Sequence, residues 1–65
     1  MDQKKIANKL VKLRGEKSQS EVAKACGIST SAVGMYEKGE RIPRDKIKVR
    51  LARYFNVSVE SIFYT

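Results

Sequence analysis

The stretch from Ser18 to Pro43, SQSEVAKACGISTSAVGMYEKGERIP, leaves this chain the fewest ways to fold. Ser18 and Glu21 form an S-x-x-E box, a pairing that satisfies the exposed amide donors of a first helical turn, so a helix is predicted over 19–26. Gly27 suits a left-handed stop, because it has no Cβ to clash with the following carbonyl. Ser29 is placed to cap a second helix over 30–38. Val22 and Ala23 on the first helix, and Val33 and Tyr36 on the second, share an inward face. Ala23 and Gly27 are small where two steeply crossing helices would bring their backbones together, and Val33 is large enough to fill the wedge between them.

This order of residues resembles the helix-turn-helix of the Cro/C1-type (XRE-type) repressor family. The shared pattern S-Q-x-E-[LV]-A-x-x-x-G-[IV]-S-x-x-x-[IV]-x-x-[YW]-E-x-G-x-R-x-P is met without a gap by Ser18, Gln19, Glu21, Val22, Ala23, Gly27, Ile28, Ser29, Val33, Tyr36, Glu37, Gly39, Arg41 and Pro43. The resemblance implies an all-α, compact five-helix lambda-repressor-like domain, with the motif formed by helices 2 and 3, one helix before it and two after. It also implies a sequence-specific regulator of transcription that binds double-stranded DNA through the major groove. The expected form is a repressor acting as a homodimer on an inverted-repeat operator. A partner-dependent DNA-binding adaptor, such as an antitoxin-like or accessory module, would share the fold and stays open.

The rest of the chain fits one domain spanning residues 1–65. Ile6, Leu10 and Leu13 fall along one face of a helix predicted over 3–14, which Gly15 ends. Pro43 marks a stop and restart, and Ile47, Leu51 and Phe55 form the stripe of a fourth helix over 44–55. Lys46, Lys48, Arg50 and Arg53 are expected mostly outside that stripe, with Arg50 and Arg53 solvated. Asn56 suits a left-handed closing residue, and Ser58 a cap for a short fifth helix ending at 62 or 63. Val57, Val59 and Ile62 read as core. A core this small argues against an enclosed active site.

Fourteen Lys and Arg against seven Asp and Glu give a net charge of +7, a bias toward polyanions. Charge alone fits a solvated surface equally well; together with the motif it points to nucleic acid. Cys26 has no second cysteine to pair with and sits in an inward slot, so it reads as a small buried apolar residue rather than a redox sensor. The chain has no histidine, and one thiol makes no zinc site, so neither a metal nor a cofactor is expected. The carboxylates Asp2, Glu16, Glu21, Glu37, Glu40, Asp45 and Glu60 are scattered, which argues against an enzyme. No signal peptide or long apolar run is present, and the expectation is a cytoplasmic protein without a membrane partner or a small-molecule ligand.

In a helix-turn-helix the second helix of the motif enters the major groove with its N-terminal residues at base edges. With Val33 and Tyr36 turned inward, Thr30, Ser31, Gly34 and Met35 are the positions that can face bases. Their hydroxyls and methyl groups suit several bases, but none makes the bidentate Arg–guanine or Gln–adenine contact. Gly34 either permits close approach to DNA or is tolerated at an exposed site. The resemblance implies that Gln19 and Ser29 grip phosphates at the two helix starts. Lys38, Arg41 and Arg44, in and after the following loop, are the expected cationic clamps.

The family also pairs a basic residue near the end of the first helix with the glutamate matching Glu37. Counting back from Ser18 without a gap selects Lys12, whereas aligning the apolar pattern and shortening the turn selects Arg14. Arg14 is preferred, because a guanidinium can pair bidentately with a carboxylate. Phe63 and Tyr64 are either the seam of a dimer or a cap on the monomer's own core.

Overall fold

The computed structural model describes residues 2–64. Those residues form five helices and no strand: α1 (Gln3–Arg14), α2 (Gln19–Cys26), α3 (Thr30–Glu37), α4 (Asp45–Phe55) and α5 (Val59–Phe63). The fold is therefore all-α, with the helix-turn-helix made by α2 and α3.

Four of the five helix starts, those of α1, α2, α3 and α5, are set by a short capping side chain that accepts from first-turn amides. The Asp2 carboxylate accepts from the amides of Lys4 and Lys5 at 3.0 and 3.2 Å. Ser18, Ser29 and Ser58 accept from the amides three residues on, at 3.0, 3.0 and 3.1 Å. Helix α4 differs, since Arg44 occupies its cap position without a side-chain bond. An arginine side chain has no acceptor to offer the first-turn amides, and the helix begins at Asp45, one residue later than the predicted span of 44–55.

The ends of α2, α3 and α4 repeat one device. At Gly27, φ +68° and ψ 35° place the backbone in the left-handed region, and the next amide, of Ile28, donates to the Ala23 carbonyl at 3.0 Å. A Cβ at Gly27 would first meet Arg50 Nη1, at 3.4 Å. Backbone conformation, and not close approach of a neighbouring helix, is thus what calls for glycine there. The same closure ends α3 through Gly39 (Glu40 N to Met35 O, 3.0 Å) and α4 through Asn56 (Val57 N to Ala52 O, 3.0 Å). Lys38 becomes the residue that caps α3 rather than its last helical residue.

The core joins all five helices. Ile6 and Leu10 come from α1, Val22, Ala23 and Cys26 from α2, Val33 and Tyr36 from α3, Leu51 and Ala52 from α4, and Ile62 and Phe63 from α5. Helix α3 packs on α1 and α2, while α5 packs on α1 and α4. The Lys9 ammonium donates to the Ser61 carbonyl at 2.9 Å and ties α1 to α5.

Two expectations need correction here. Phe63, read either as part of a dimer seam or as a cap on the monomer's own core, is only 1% exposed and belongs to the core, so it drops out of the seam. The one-turn helix α5 is anchored through it, and Tyr64 is left 56% exposed. Lys48, expected outside the stripe of α4, is buried to 6% exposure. Its ammonium lies 5.6 Å from the Phe63 ring centre and 5.0 Å from that of Tyr64, donates to the Tyr64 hydroxyl at 3.0 Å, and stands 3.6 Å from an Asp45 carboxylate oxygen. The tail covers the lysine stem, and the aromatic faces, the hydroxyl and the carboxylate replace part of the water the charge has lost. These contacts, led by the hydrogen bond to Tyr64, raise the Lys48 pKa above the ordinary lysine value.

Candidate nucleic-acid interface

The site is organised from beneath by Glu37, at the last turn of α3. Its side chain is only 7% exposed. The Glu37 Oε2 atom accepts from Arg14 Nε at 2.6 Å, and Oε1 accepts from Arg14 Nη2 at 3.1 Å. Arg14 is thus bidentate on the carboxylate, and its remaining nitrogen, Nη1, donates to the Lys17 carbonyl at 2.7 Å. The hydrogen bond to Glu37 raises the arginine pKa further above its already high value. Lys12, the alternative partner for Glu37, is exposed.

A third donor reaches the same carboxylate. Gln19 Nε2, at the start of α2, donates to Glu37 Oε1 at 2.8 Å. A carboxylate only accepts, so this contact determines which end of the Gln19 amide is nitrogen. The end of α1, the start of α2 and the end of α3 are joined through four side-chain atoms of one ion pair and one amide. Nothing in the local pattern announces the Gln19 contact, because its partner lies 18 residues away.

Above this hub, Gln19, Thr30, Ser31, Gly34, Met35 and Lys38 line one open hollow on the surface of α3. The four positions expected to face bases are thus brought together, with Gln19 on one flank and Lys38 at the helix end. Thr30, Ser31 and Lys38 are exposed; Gly34 and Met35 are half-buried. A Cβ at Gly34 would meet Gln19 Oε1 at 3.8 Å. Ser29 is exposed at the start of α3, and its Oγ accepts from the Ala32 amide at 3.0 Å while its hydroxyl hydrogen remains for an outside acceptor. Arg41 and Arg44 are exposed in the loop between α3 and α4. The hollow thus gathers two hydroxyls, an amide, a thioether and an ammonium group, a surface suited to a polyanion with readable edges.

A helix-turn-helix family model matches residues 9–62 of the chain. The protein belongs to the Cro/C1-type helix-turn-helix family. Membership makes it a member of a family of DNA-binding transcriptional regulators. The chain is 37% identical over 46 residues to an uncharacterised HTH-type transcriptional regulator of Archaeoglobus fulgidus, an alignment covering 71% of this chain and 65% of that protein. It is 35% identical over 46 residues to another such regulator, from Methanocaldococcus jannaschii, covering 71% and 70%. The chain therefore aligns with about two thirds of the length of these relatives. No solved structure gives a significant match. Among the described residues, no helix is long and apolar enough to cross a membrane.

One further contact has no signal in the linear pattern. Arg50, expected to be solvated, directs Nη1 at the Cys26 carbonyl, 3.4 Å away, where the end of α2 carries partial negative charge. Cys26 itself is buried, and burial raises its thiol pKa.

Proposed function

We propose that this protein is a sequence-specific repressor that inserts α3 into the major groove and binds an inverted-repeat operator as a homodimer. The observation that carries the reading is the shared hollow of Thr30, Ser31, Gly34 and Met35, flanked by Gln19 and Lys38 and seated on the Glu37–Arg14 pair. In this reading the four α3 residues meet base edges. Phosphates are met by Ser29, Lys38, Arg41 and Arg44 and by the N-terminal turn of α2 at Gln19. Two half-sites roughly 34 Å apart would present both recognition helices to one side of the duplex. Phe63 lies in the core, so a dimer seam would draw on Tyr64 and Val49, which are exposed apolar residues of the tail and α4. Repression then requires only occupancy of a promoter.

The test is selection from a random double-stranded DNA pool at about 150 mM salt, where phosphate binding without sequence preference is already weakened. An enriched inverted repeat supports the reading, and light scattering of the complex reads its stoichiometry. A pool that stays unenriched while binding remains strongly salt-dependent refutes autonomous sequence recognition. The partner-dependent adaptor would then account for the fold.

A further inference from the structure

The residues of α3 that face the hollow offer hydroxyls, a methyl group and a thioether, and none has a donor and an acceptor side by side on separate atoms. Gln19 does, and three observations bring its amide into the reading surface. It lines the same hollow as Thr30, Ser31, Gly34 and Met35 although it belongs to α2. Its Oε1 stands 3.8 Å from where a Cβ of Gly34 would be, so the amide lies against the middle of α3. Its Nε2 is held by Glu37 at 2.8 Å, and Glu37 is held in turn by Arg14.

We infer that the Gln19 side chain is a base-reading residue, with adenine as the base it selects. The contact with Glu37 uses one of the two Nε2 hydrogens. The other hydrogen and both lone pairs of Oε1 remain. An acceptor and a donor on neighbouring atoms match the N6 amino group and N7 of adenine in the major groove, whereas guanine presents two acceptors there. Glu37 and Arg14 are positioning residues, since they orient the amide without touching a base.

This inference rests on the proposed DNA-binding mode, and the experiment separates the two. Sites selected by the wild-type protein are compared with those selected by Gln19→Ala, with melting of each protein recorded. Wild-type affinity is also measured on the selected duplex with 7-deazaadenine, which lacks the N7 acceptor, placed at each adenine in turn. The expected result is one position per half-site where the wild type prefers A·T by about tenfold or more and Gln19→Ala binds all four pairs alike. The 7-deaza substitution at that position should lower wild-type affinity and leave that of Gln19→Ala unchanged. If Gln19→Ala instead weakens every duplex equally and keeps the same base preferences, the side chain is a phosphate ligand and the inference is wrong. Wild-type tolerance of 7-deazaadenine at every position overturns it without relying on any variant. Failure of the wild type to enrich any sequence overturns the DNA-reading mode itself, and the inference with it.

Discussion

Replacing Gly34 by alanine separates what the recognition helix needs to be stable from what it needs to bind. Gly34 lies inside α3, between Thr30 and Glu37, and is not among the residues with positive φ. A helical interior glycine costs about 0.8–1.0 kcal/mol relative to alanine, mostly through the backbone freedom it loses on folding. The new methyl group would have its nearest contact at 3.8 Å, on Gln19 Oε1, an ordinary van der Waals distance. With no clash to subtract, the full propensity difference should appear as added stability. Unfolding entropy near 2.1 cal/mol/K per residue over 65 residues amounts to about 140 cal/mol/K, so the variant should melt about 7 °C higher. Circular dichroism melts at matched concentration and pH would measure the shift, and titration of the selected duplex would measure binding. A Tm unchanged or lowered would refute the reasoning, because it would mean that the hollow does not admit a methyl group. A higher Tm with lower affinity assigns the glycine to close approach in the complex. A higher Tm with unchanged affinity shows that the position merely tolerates it.

Three other outcomes follow from contacts elsewhere in the fold. Phe63→Ala should cost about 3–5 kcal/mol, comparable to the whole stability of a domain this size, and urea melts should find the variant largely unfolded, whereas Tyr64→Ala should stay folded. The Asp2 carboxyl is held below the ordinary aspartate pKa, first because its carboxylate accepts from the Lys5 amide, so its contribution to folding is complete above the ordinary value and is lost as pH falls through the lower folded-state value. Comparing melts of the wild type and Asp2→Ala across pH 2–6 should show the two curves converging at the acid end; a gap independent of pH would contradict the assignment. Burial and the raised pKa of Cys26 predict a thiol that resists a disulfide reagent in the native protein and reacts fully in denaturant, and rapid native labelling would refute its placement.

The secondary structure was legible in the chain because its signals act over three to five residues. Ser18, Ser29 and Ser58 each hold the amide three residues on, and Gly27 and Asn56 each close a helix in the left-handed conformation that their side chains, or the lack of one, make accessible. Apolar spacing likewise places Ile6 and Leu10, Val22 and Ala23, and Val33 and Tyr36 on inward faces. That Thr30, Ser31, Gly34 and Met35 share one surface of α3 was legible for the same reason, because Val33 and Tyr36 are turned inward.

Contacts between helices lay beyond that reach. Lys12 and Arg14 were both admissible partners for Glu37, and only the packing of α1 on α3 brings one guanidinium within 2.6 Å of the carboxylate while leaving the lysine exposed. Lys48 has the composition of a surface residue, and it is covered only because α5 returns Phe63 and Tyr64 to α4. The link from Gln19 to Glu37 joins residues 18 apart through the turn at Gly27. Hydrogen-bond caps and apolar periodicity are properties of one helix, so the amino-acid order determines them directly. Which buried charge meets which partner, and which amide reaches across to the recognition helix, depends on where other helices come to rest, and the tertiary structure alone decides it.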